Sequence, residues 1–311
     1  MRQLLFIMLL AATSQVYATL DQTKSSEACG ACHQRIYSEW KDSLMGTDLV
    51  NEKVYQFYTG TNPAGKKDGL GYQGMHPGKA GDCADCHVPT LVLNEHKKGN
   101  EVDLGVAMRN KTDHGISCNY CHSITDVKIK KDSDGRYKTR VFDTVTLDDG
   151  DTKYGPGKAK GGSGNSVHQS AKRNLFKESE ICATCHLNQE KFLSISQYDD
   201  WKTAYDSGKT DQTCQECHMP LLKGKQELAI GIPKMEGMRA HTFVGAHDLN
   251  MLKKTLSLDL KTEIVDGKLI VKTTVENIGA GHKVPGSGPI RNVILKLEVT
   301  EPNGKKLPYV G

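Results

Sequence analysis

One five-residue pattern constrains this chain more than any other feature of its sequence. The pattern Cys-x-x-Cys-His occurs five times in 311 residues and uses all 10 cysteines. It is the attachment signature of c-type haem, in which two thiols bond to one porphyrin edge and the adjacent imidazole reaches the iron. The pattern therefore predicts five covalently attached haem c groups. The copies span residues 29–33, 83–87, 118–122, 182–186 and 214–218.

The pattern assigns a role to every cysteine and to five of the 12 histidines. The predicted covalent attachment residues are Cys29, Cys32, Cys83, Cys86, Cys118, Cys121, Cys182, Cys185, Cys214 and Cys217. The predicted proximal iron ligands are His33, His87, His122, His186 and His218.

Three other uses of paired cysteines fit the sequence less well. Structural disulfides would not place a histidine after every second cysteine. Zinc sites of the Cys₄ or Cys₂His₂ type need their Cys-x-x-Cys halves in pairs, and five is an odd number. A thioredoxin-like redox motif occurs once, in a βαβ context that this sequence does not have.

The N-terminal segment, residues 1–18, predicts a secretory signal peptide. Arg2 supplies the positive start, residues 4–12 form an apolar run, and Ala18 is a small residue suited to cleavage. The apolar run is short for a membrane span, and a retained anchor is the alternative. No later stretch is apolar enough to cross a bilayer, so we expect no integral membrane span after cleavage. Since c-type haem is attached outside the cytoplasm, we predict an exported protein, periplasmic or extracellular at the cell surface.

The formal net charge of +4 does not indicate a nucleic-acid partner. Cleavage removes Arg2, and each haem adds two propionates against about one positive charge on a ferric core. The mature protein with five haems would then carry about −2 when oxidised and about −7 when reduced. The lysines are also scattered rather than clustered. We therefore predict no nucleic-acid binding.

The composition suits a protein whose interior is filled by porphyrins. Aromatic residues make up only 6% and hydrophobic residues 37%, while the 31 glycines allow backbone to pass close to flat cofactors. We predict a multihaem cytochrome fold over residues 19–250. It is expected to be mostly irregular, with short α-helices wrapped around five haems.

The pattern changes near residue 255 to alternating apolar and polar residues. Residues 256–260 and 271–275 alternate on either side of the turn Asp266-Gly267, and residues 293–299 alternate again. This predicts a small antiparallel β-domain of immunoglobulin-like character over residues 251–311. Only three or four strands fit, where a sandwich needs about seven. The domain is therefore expected to be truncated, or else completed by the haem domain or a neighbouring subunit.

The distal position of each iron decides between a low-spin carrier and an open, reactive site. Seven histidines lie outside the motifs. Small residues surround two of them, a constrained turn holds another, and a fourth precedes the fourth motif, so these four are the leading predictions. The fifth is less distinct in the sequence. The predicted distal ligands are His168, His241, His247, His282 and His76, with His96, His114 and Met45 as competitors.

With these residues in place, the chain resembles the multihaem cytochromes of the cytochrome c554 family. The resemblance covers most of residues 27–300 and implies an α-rich, mostly irregular haem domain with closely packed haem pairs, serving electron transfer. It rests on residues 29–43 with Tyr37, Trp40 and Ser43, on Gly115-Ile116-Ser117, on His168-Gln169-Ser170, on residues 214–220 and 241–247, and on the Gly281-His282-x-x-Pro285 turn.

Two further points follow from the resemblance. The C-terminal stretch is similar to the β-domain of some extracellular multihaem cytochromes, including ones that polymerise into haem filaments. The family often has a histidine shortly after the tryptophan and serine, where this chain has Leu44-Met45. This departure predicts one haem that is either methionine-ligated or open.

The leading functional hypothesis is an exported pentahaem carrier that passes electrons along a haem chain between a redox-protein donor and acceptor in respiration. The first alternative is a multihaem oxidoreductase that acts on a small nitrogen or sulfur oxyanion at an open haem. No motif has Lys in place of His, which weakens the comparison with nitrite-reducing haem enzymes. The second alternative is a subunit of an extracellular filament, whose partners are other copies of itself. A carrier rather than an enzyme is the favoured interpretation.

Overall fold

Short helices joined by turns make up most of the chain. The structure is a computed structural model that describes residues 21, 24–137, 140–157, 167–189, 194–286 and 291–308. The predicted signal peptide, residues 1–18, lies outside the described residues. Over the described part of the haem region, the prediction of a mostly irregular chain with short helices is confirmed.

The longest described helix, Gln197–Asp206, has only 10 residues, and no described helix is long and apolar enough to span a bilayer. Several helices begin at a side chain that accepts a backbone N–H, among them Asn51, Asp103 and Asp248. In chain order the helices are α1 (Ser26–Gly30), α2 (Gln34–Lys41), α3 (Glu52–Thr59), α4 (Gly71–Met75), α5 (Cys83–His87), α6 (Pro89–His96), α7 (Leu104–Asn110), α8 (Cys118–His122), α9 (Val141–Thr144), α10 (Glu180–His186), α11 (Gln197–Asp206), α12 (Cys214–His218) and α13 (Leu249–Thr255), with 3₁₀ turns at Asp48–Val50 and Asn174–Lys177.

The described strands pair only two by two. Three pairs are antiparallel, and β3 with β4 is parallel. The parallel pair was not predicted from the sequence. The strands are β1 (Ile124–Val127) with β2 (Val145–Leu147), β3 (Thr152–Gly155) with β4 (Gln169–Lys172), β5 (Asn188–Gln189) with β6 (Ser194–Ile195), and β7 (Leu256–Val265) with β8 (Lys268–Asn277).

Two small apolar clusters hold the helices together. The larger includes Tyr58, Tyr120 and Leu104, each at most 2% exposed. The smaller includes Leu187, Tyr198 and Trp201. Each cluster packs against cysteines of the haem motifs, the first against those of the second and third motifs and the second against that of the fifth. The apolar core therefore supports the backs of the motif helices rather than forming one continuous interior.

The C-terminal hairpin forms where the alternating pattern predicted it. Ten residue pairs join β7 and β8, and the two turn residues Asp266 and Gly267 have φ angles of 50° and 73°. Positive φ at both positions is the type I′ geometry that favours glycine in two-residue hairpins. Its apolar side chains remain outside any core, with Leu258 61% and Ile264 78% exposed.

The third strand predicted over residues 293–299 is not part of a sheet in the described structure. This segment forms no strand, although the N–H of Leu307 donates to the carbonyl of Val299. Val293, Ile294 and Leu295 are at least half exposed. An alternating segment becomes a strand only when a neighbouring edge pairs with it. The immunoglobulin-like arrangement therefore stays a prediction, while the antiparallel hairpin is confirmed.

Candidate haem-binding sites

Each haem motif is coiled into about one helical turn. The second, third and fifth motifs coincide with α5, α8 and α12, the fourth ends α10, and the first runs from α1 to His33 at the start of α2. Hydroxyl caps begin several of these turns: Ser117 accepts from the N–H of Tyr120, and Thr213 shares a capping box with Glu216. A capped turn of this length fixes two thiols and the following imidazole relative to one another.

Several cysteines from different motifs lie side by side. The side chain of Cys29 lies beside that of Cys118. The same kind of contact joins Cys86 to Cys185 and Cys182 to Cys214. The first motif is therefore adjacent to the third, the second to the fourth, and the fourth to the fifth.

Two of these adjacent motif pairs are held by equivalent hydrogen bonds. Ser26, three residues before the first cysteine of motif one, accepts from the backbone N–H of Cys118 at 3.1 Å. Ser179, three residues before the first cysteine of motif four, accepts from the N–H of Cys214 at 3.0 Å. Both serines are at most 2% exposed. A buried hydroxyl thus fastens the start of one motif helix to the next in both pairs.

Two tryptophans, one in each pair, also connect the same two pairs of motifs. The indole N–H of Trp40, in the helix after motif one, donates to the carbonyl of Ile116 at 3.1 Å. The indole N–H of Trp201, in the helix after motif four, donates to the carbonyl of Gln212 at 2.8 Å. Each carbonyl lies two residues before the first cysteine of the partner motif. Motifs one and three and motifs four and five are therefore two units of the same construction.

Three predicted proximal histidines are oriented by backbone carbonyls. In each, Nδ1 lies at hydrogen-bond distance from a carbonyl oxygen of a distant segment, which leaves Nε2 with its lone pair for a metal. The pairs are His33 with Leu228 at 2.8 Å, His122 with Tyr154 at 2.6 Å and His218 with Val244 at 2.5 Å.

His87 is oriented differently, by a carboxylate. Its Nδ1 lies 2.8 and 2.7 Å from the two carboxylate oxygens of Asp48. Burial acts to lower the pKa of His87, but the hydrogen bond and charge of Asp48 outweigh it and leave that pKa raised. The fifth, His186, has its pKa lowered to about 4 by burial and by the nearby His218 and His282.

Three imidazoles outside the motifs each lie about 6 Å from a proximal imidazole. Two imidazoles that share an ion are separated by two metal–nitrogen bonds of about 2 Å and two half-rings of about 1 Å, about 6 Å in all. Rings in direct stacking contact would be much closer. The centroid separations and interplanar angles are 6.1 Å and 23° for His33 with His168, 6.4 Å and 31° for His122 with His241, and 6.2 Å and 11° for His218 with His282.

Loops and one strand pair bring these imidazoles into place. Strand β4 begins directly after His168, and its parallel partner β3 carries the Tyr154 carbonyl that orients His122. The His241 backbone N–H donates to Glu39 at 2.9 Å. In the turn that carries His282, a Cβ on Gly279 would lie 2.0 Å from the carbonyl of Lys254, so only glycine fits there.

The donor set fits a buried, metal-bound group. Burial lowers the pKa of His241 to about 3 and also lowers the pKa of His122 and of His218. Neutral imidazole is the form that binds a metal. The residues present therefore fit c-type haem.

Arg35, near His241, has one N–H donor that is not used within the described part of the chain. A cavity of about 560 Å³ is lined in part by Arg35, Glu39 and His247. Two nitrogens of Arg35 reach Glu39 at 2.6 Å and the carbonyl of Glu227 at 3.4 Å. Its Nε is buried with no partner in the described part of the chain. That N–H could take a further anionic oxygen, such as a haem propionate.

The other predicted distal ligands lie elsewhere. In the described part of the chain, no imidazole is stacked on His87 or His186. His247 is exposed, and Met45 lies three residues before Asp48. The remaining three have other neighbours. The His76 ring lies 4.7 Å from that of Tyr72 and is tilted against it by 34°, and His96 stacks on Phe142 at 3.6 Å. The Nε2 of His114 lies 2.8 Å from the carbonyl of Asp21.

Sequence reasoning missed Asp48 and the serine and tryptophan contacts. The signal for Asp48 is weak, because a lone aspartate fifteen residues after the first motif and thirty-five before the second carries no spacing rule. The signal for the repeated unit was present. Both motif one and motif four read Ser-Glu-x-Cys-x-x-Cys-His, and each is followed by Tyr-x-x-Trp. Comparing the flanks of the motifs with one another would have found it.

Comparisons with known proteins agree with this picture. Residues 28–123, which hold the first three motifs, match the family model described as cytochrome c554 and c-prime. The fold is similar to that in the crystal structure of a penta-heme cytochrome c552 from Thermochromatium tepidum, with a TM-score of 0.61. That similarity has 20% sequence identity and covers 91% of this chain and 72% of the other. A comparison with curated proteins gives no match.

Proposed function

We propose that this chain, a multihaem c-type cytochrome, holds five haems c and serves as an exported electron carrier between redox proteins. The observation that carries the proposal is the set of three imidazole pairs, each separated by the width of one metal ion. Two imidazoles on one iron leave no open position for a substrate, which is the arrangement of a carrier. Haem c supplies a one-electron redox centre.

The residues divide the work of holding that centre. In the proposal, the cysteine pairs anchor the porphyrin edges and the five motif histidines are proximal ligands. His168, His241 and His282 are distal ligands opposite His33, His122 and His218. The backbone carbonyls behind the proximal rings hold the tautomer in which Nε2 faces the metal. Burial lowers the pKa of His122, His186, His218 and His241, so protons compete only weakly with a metal for these four imidazoles at neutral pH.

The contacts between motifs favour electron transfer over isolated sites. Thiol contacts join motif one to three, two to four, and four to five. The charge of Cys185 also raises the pKa of Cys121 after burial, so motif three lies near motif four. All five attachment sites are thus linked without a gap. A chain with one catalytic centre would not need this continuity.

One observation favours the enzymatic alternative at two of the five proposed haem sites. His87 and His186 have no imidazole stacked on them in the described part of the chain, and Met45 stands where related cytochromes often have histidine. An open iron would therefore lie at the second or fourth motif. In this alternative, that position binds a small nitrogen or sulfur oxyanion. His76 and His247 remain the predicted distal ligands that would close these positions.

The test is haem counting and low-temperature EPR on the oxidised full-length protein. We expect five haems per chain and at least three low-spin centres with two histidine ligands. The substitutions His168→Ala, His241→Ala and His282→Ala should each convert one low-spin centre to high spin. Lys202→Ala, which breaks an exposed ion pair with Asp206, is the control and should leave the spectrum unchanged. Fewer than five haems, or three silent distal variants, would refute the assignment.

The exposed C-terminal hairpin favours self-association as a second candidate role. Apolar side chains such as Leu258, Leu260 and Ile264 are more than half exposed on two ten-residue strands. An unpaired, apolar strand edge is a template for pairing with another chain. Self-association through this hairpin, as in a filament, is compatible with a carrier. Light scattering of the holoprotein tests it: a monomer at high concentration, unchanged by Leu260→Lys, would exclude it.

A further inference from the structure

Asp48 makes the second haem site different from the others. Both of its carboxylate oxygens lie within 2.8 Å of the Nδ1 of His87. The proximal imidazoles of motifs one, three and five instead meet neutral backbone carbonyls. Asp48 is only 7% exposed, so water screens its charge little. The difference between a carbonyl and a carboxylate partner is therefore chemical and not only geometric.

A tight turn holds Asp48 in this position. The buried hydroxyl of Ser43 donates to the carbonyl of Trp40 at 2.6 Å and accepts from the N–H of Gly46 at 3.1 Å. A Cβ on Gly46 would lie 2.2 Å from that same Trp40 carbonyl, so only glycine closes the turn. The hydroxyl of Thr47 donates back to Ser43 at 2.9 Å. The carboxylate is thus delivered by a fixed backbone rather than by a flexible loop.

No cation neutralises Asp48 in the described part of the chain. Its ion pair is with His87 itself, whereas the buried Asp85 of the same motif is paired with Arg140. An unshared carboxylate that accepts from Nδ1–H pulls that proton toward itself and increases the electron density on Nε2. Such second-shell partners raise the basicity of a metal-bound imidazole. A stronger donor favours the more positive, ferric form of an iron that it binds.

We propose that Asp48 is a positioning residue that lowers the reduction potential of the haem held by Cys83, Cys86 and His87. This inference rests on the proposed function and deepens it. The second site is adjacent to the fourth through Cys86 and Cys185. A lowered reduction potential at that position makes the potentials along the five-haem chain unequal. The second site then takes up its electron later than it would with a neutral partner behind His87.

The test is a spectroelectrochemical titration of the full-length holoprotein and its Asp48→Asn variant. Asparagine keeps the size and an acceptor oxygen but removes the charge. One of the five one-electron components should move to higher potential, with the other four unchanged. Asp48→Glu should keep that component below its position in Asp48→Asn, because it restores the carboxylate. Asp206→Asn removes a charge from the exposed pair with Lys202 and should shift no component.

The outcomes separate this inference from the proposed function. A native protein with fewer than five haems defeats the proposed function itself. A native protein with five haems whose Asp48→Asn variant titrates identically overturns only the role of Asp48. If Asp48→Asn fails to retain the second haem, Asp48→Ser is titrated in its place. Loss of that haem from both neutral variants, with Asp48→Glu retaining it, would assign Asp48 to haem attachment and overturn the effect on potential.

Discussion

At the scale of single residues, the second motif helix depends on a buried carboxylate. Asp85 is 2% exposed and accepts from Arg140 at 2.8 and 3.2 Å and from the backbone N–H of Val141 at 2.9 Å. Arg140 also reaches Asp82 at 2.9 Å. These contacts tie α5 to the start of α9. The motif helix is therefore anchored to a segment 55 residues later in the chain.

Arg140→Met should destabilise this anchor strongly. Removing one partner of a buried ion pair leaves an uncompensated charge, and we expect a loss of about 3 kcal/mol in the free energy of unfolding. The guanidinium is partly exposed, which places the loss at the low end of the range for buried pairs. Chemical denaturation of the holoprotein followed by the Soret band measures it. Lys202→Met breaks an exposed pair with Asp206 and should leave the midpoint unchanged. Equal effects of the two substitutions would contradict the role given to Asp85.

The attachment residues are a prediction from local spacing, whereas the surroundings of each site depend on packing. The Cys-x-x-Cys-His motif is defined by residues that are adjacent in the chain, so the sequence alone is enough to recognise it. A distal ligand is set by long-range packing: His168 reaches His33 across 135 residues of chain, and no local rule records that distance. Histidine scarcity and small neighbours still selected His168, His241 and His282 as candidates. The partner of His87 left no local mark at all.

At the scale of elements, the repeated unit makes a paired prediction. Trp40→Phe and Trp201→Phe each keep an aromatic ring but remove the indole donor, which leaves the carbonyls of Ile116 and Gln212 without it. Each substitution should cost about 1–2 kcal/mol in the free energy of unfolding. Because the two units have the same construction, the two losses should be similar. Thermal unfolding of the holoprotein is the measurement. A loss in only one variant would show that the two units are not equivalent.

The parallel pair β3–β4 gives a second prediction at this scale. Proline at position 171 removes a backbone donor and disfavours pairing inside β4, whose register places Ala171 opposite Tyr154. Ala171→Pro should release His168 and so produce the same new high-spin signal as His168→Ala. Lys272→Pro breaks the separate β7–β8 hairpin and should produce none. An unchanged EPR spectrum in Ala171→Pro would mean that the strand does not position His168.

Elements that a short local sequence pattern specifies were predicted, and elements that depend on a distant partner were not. The motif turns and the β7–β8 hairpin were predicted because a short pattern and an Asp-Gly turn specify each of them locally. The pair β3–β4 was not, since each strand has four residues and the partners are separated along the chain. Residues 293–299 show the opposite error: a strand pattern is present, and no described edge pairs with it. Pairing is a property of neighbours, which periodicity does not record.

At the scale of the whole molecule, the contacts between motifs are unequal. Motif four contacts motif two through Cys185 and motif five through Cys182, and Cys121 of motif three lies near it. For the thiols of motif one, the described contact is with motif three, through Cys29 and Cys118. Motif four is therefore the junction of the assembly, and motif one is at its margin. Charges a few ångströms apart in a low-dielectric interior shift one another's redox and protonation equilibria.

This inequality predicts the result of removing one haem at a time. Cys182→Ala with Cys185→Ala should leave four haems, and the potentials of up to three remaining centres should shift. Cys29→Ala with Cys32→Ala should also leave four, but only one remaining potential should shift, because motif three is the described neighbour. Haem counting followed by potentiometric titration of each variant gives the comparison. If both deletions disturb the same number of centres, the attachment sites are not arranged around motif four. If the deletion at motif four disturbs more, the contacts between thiols also map the electrostatic coupling between the bound haems.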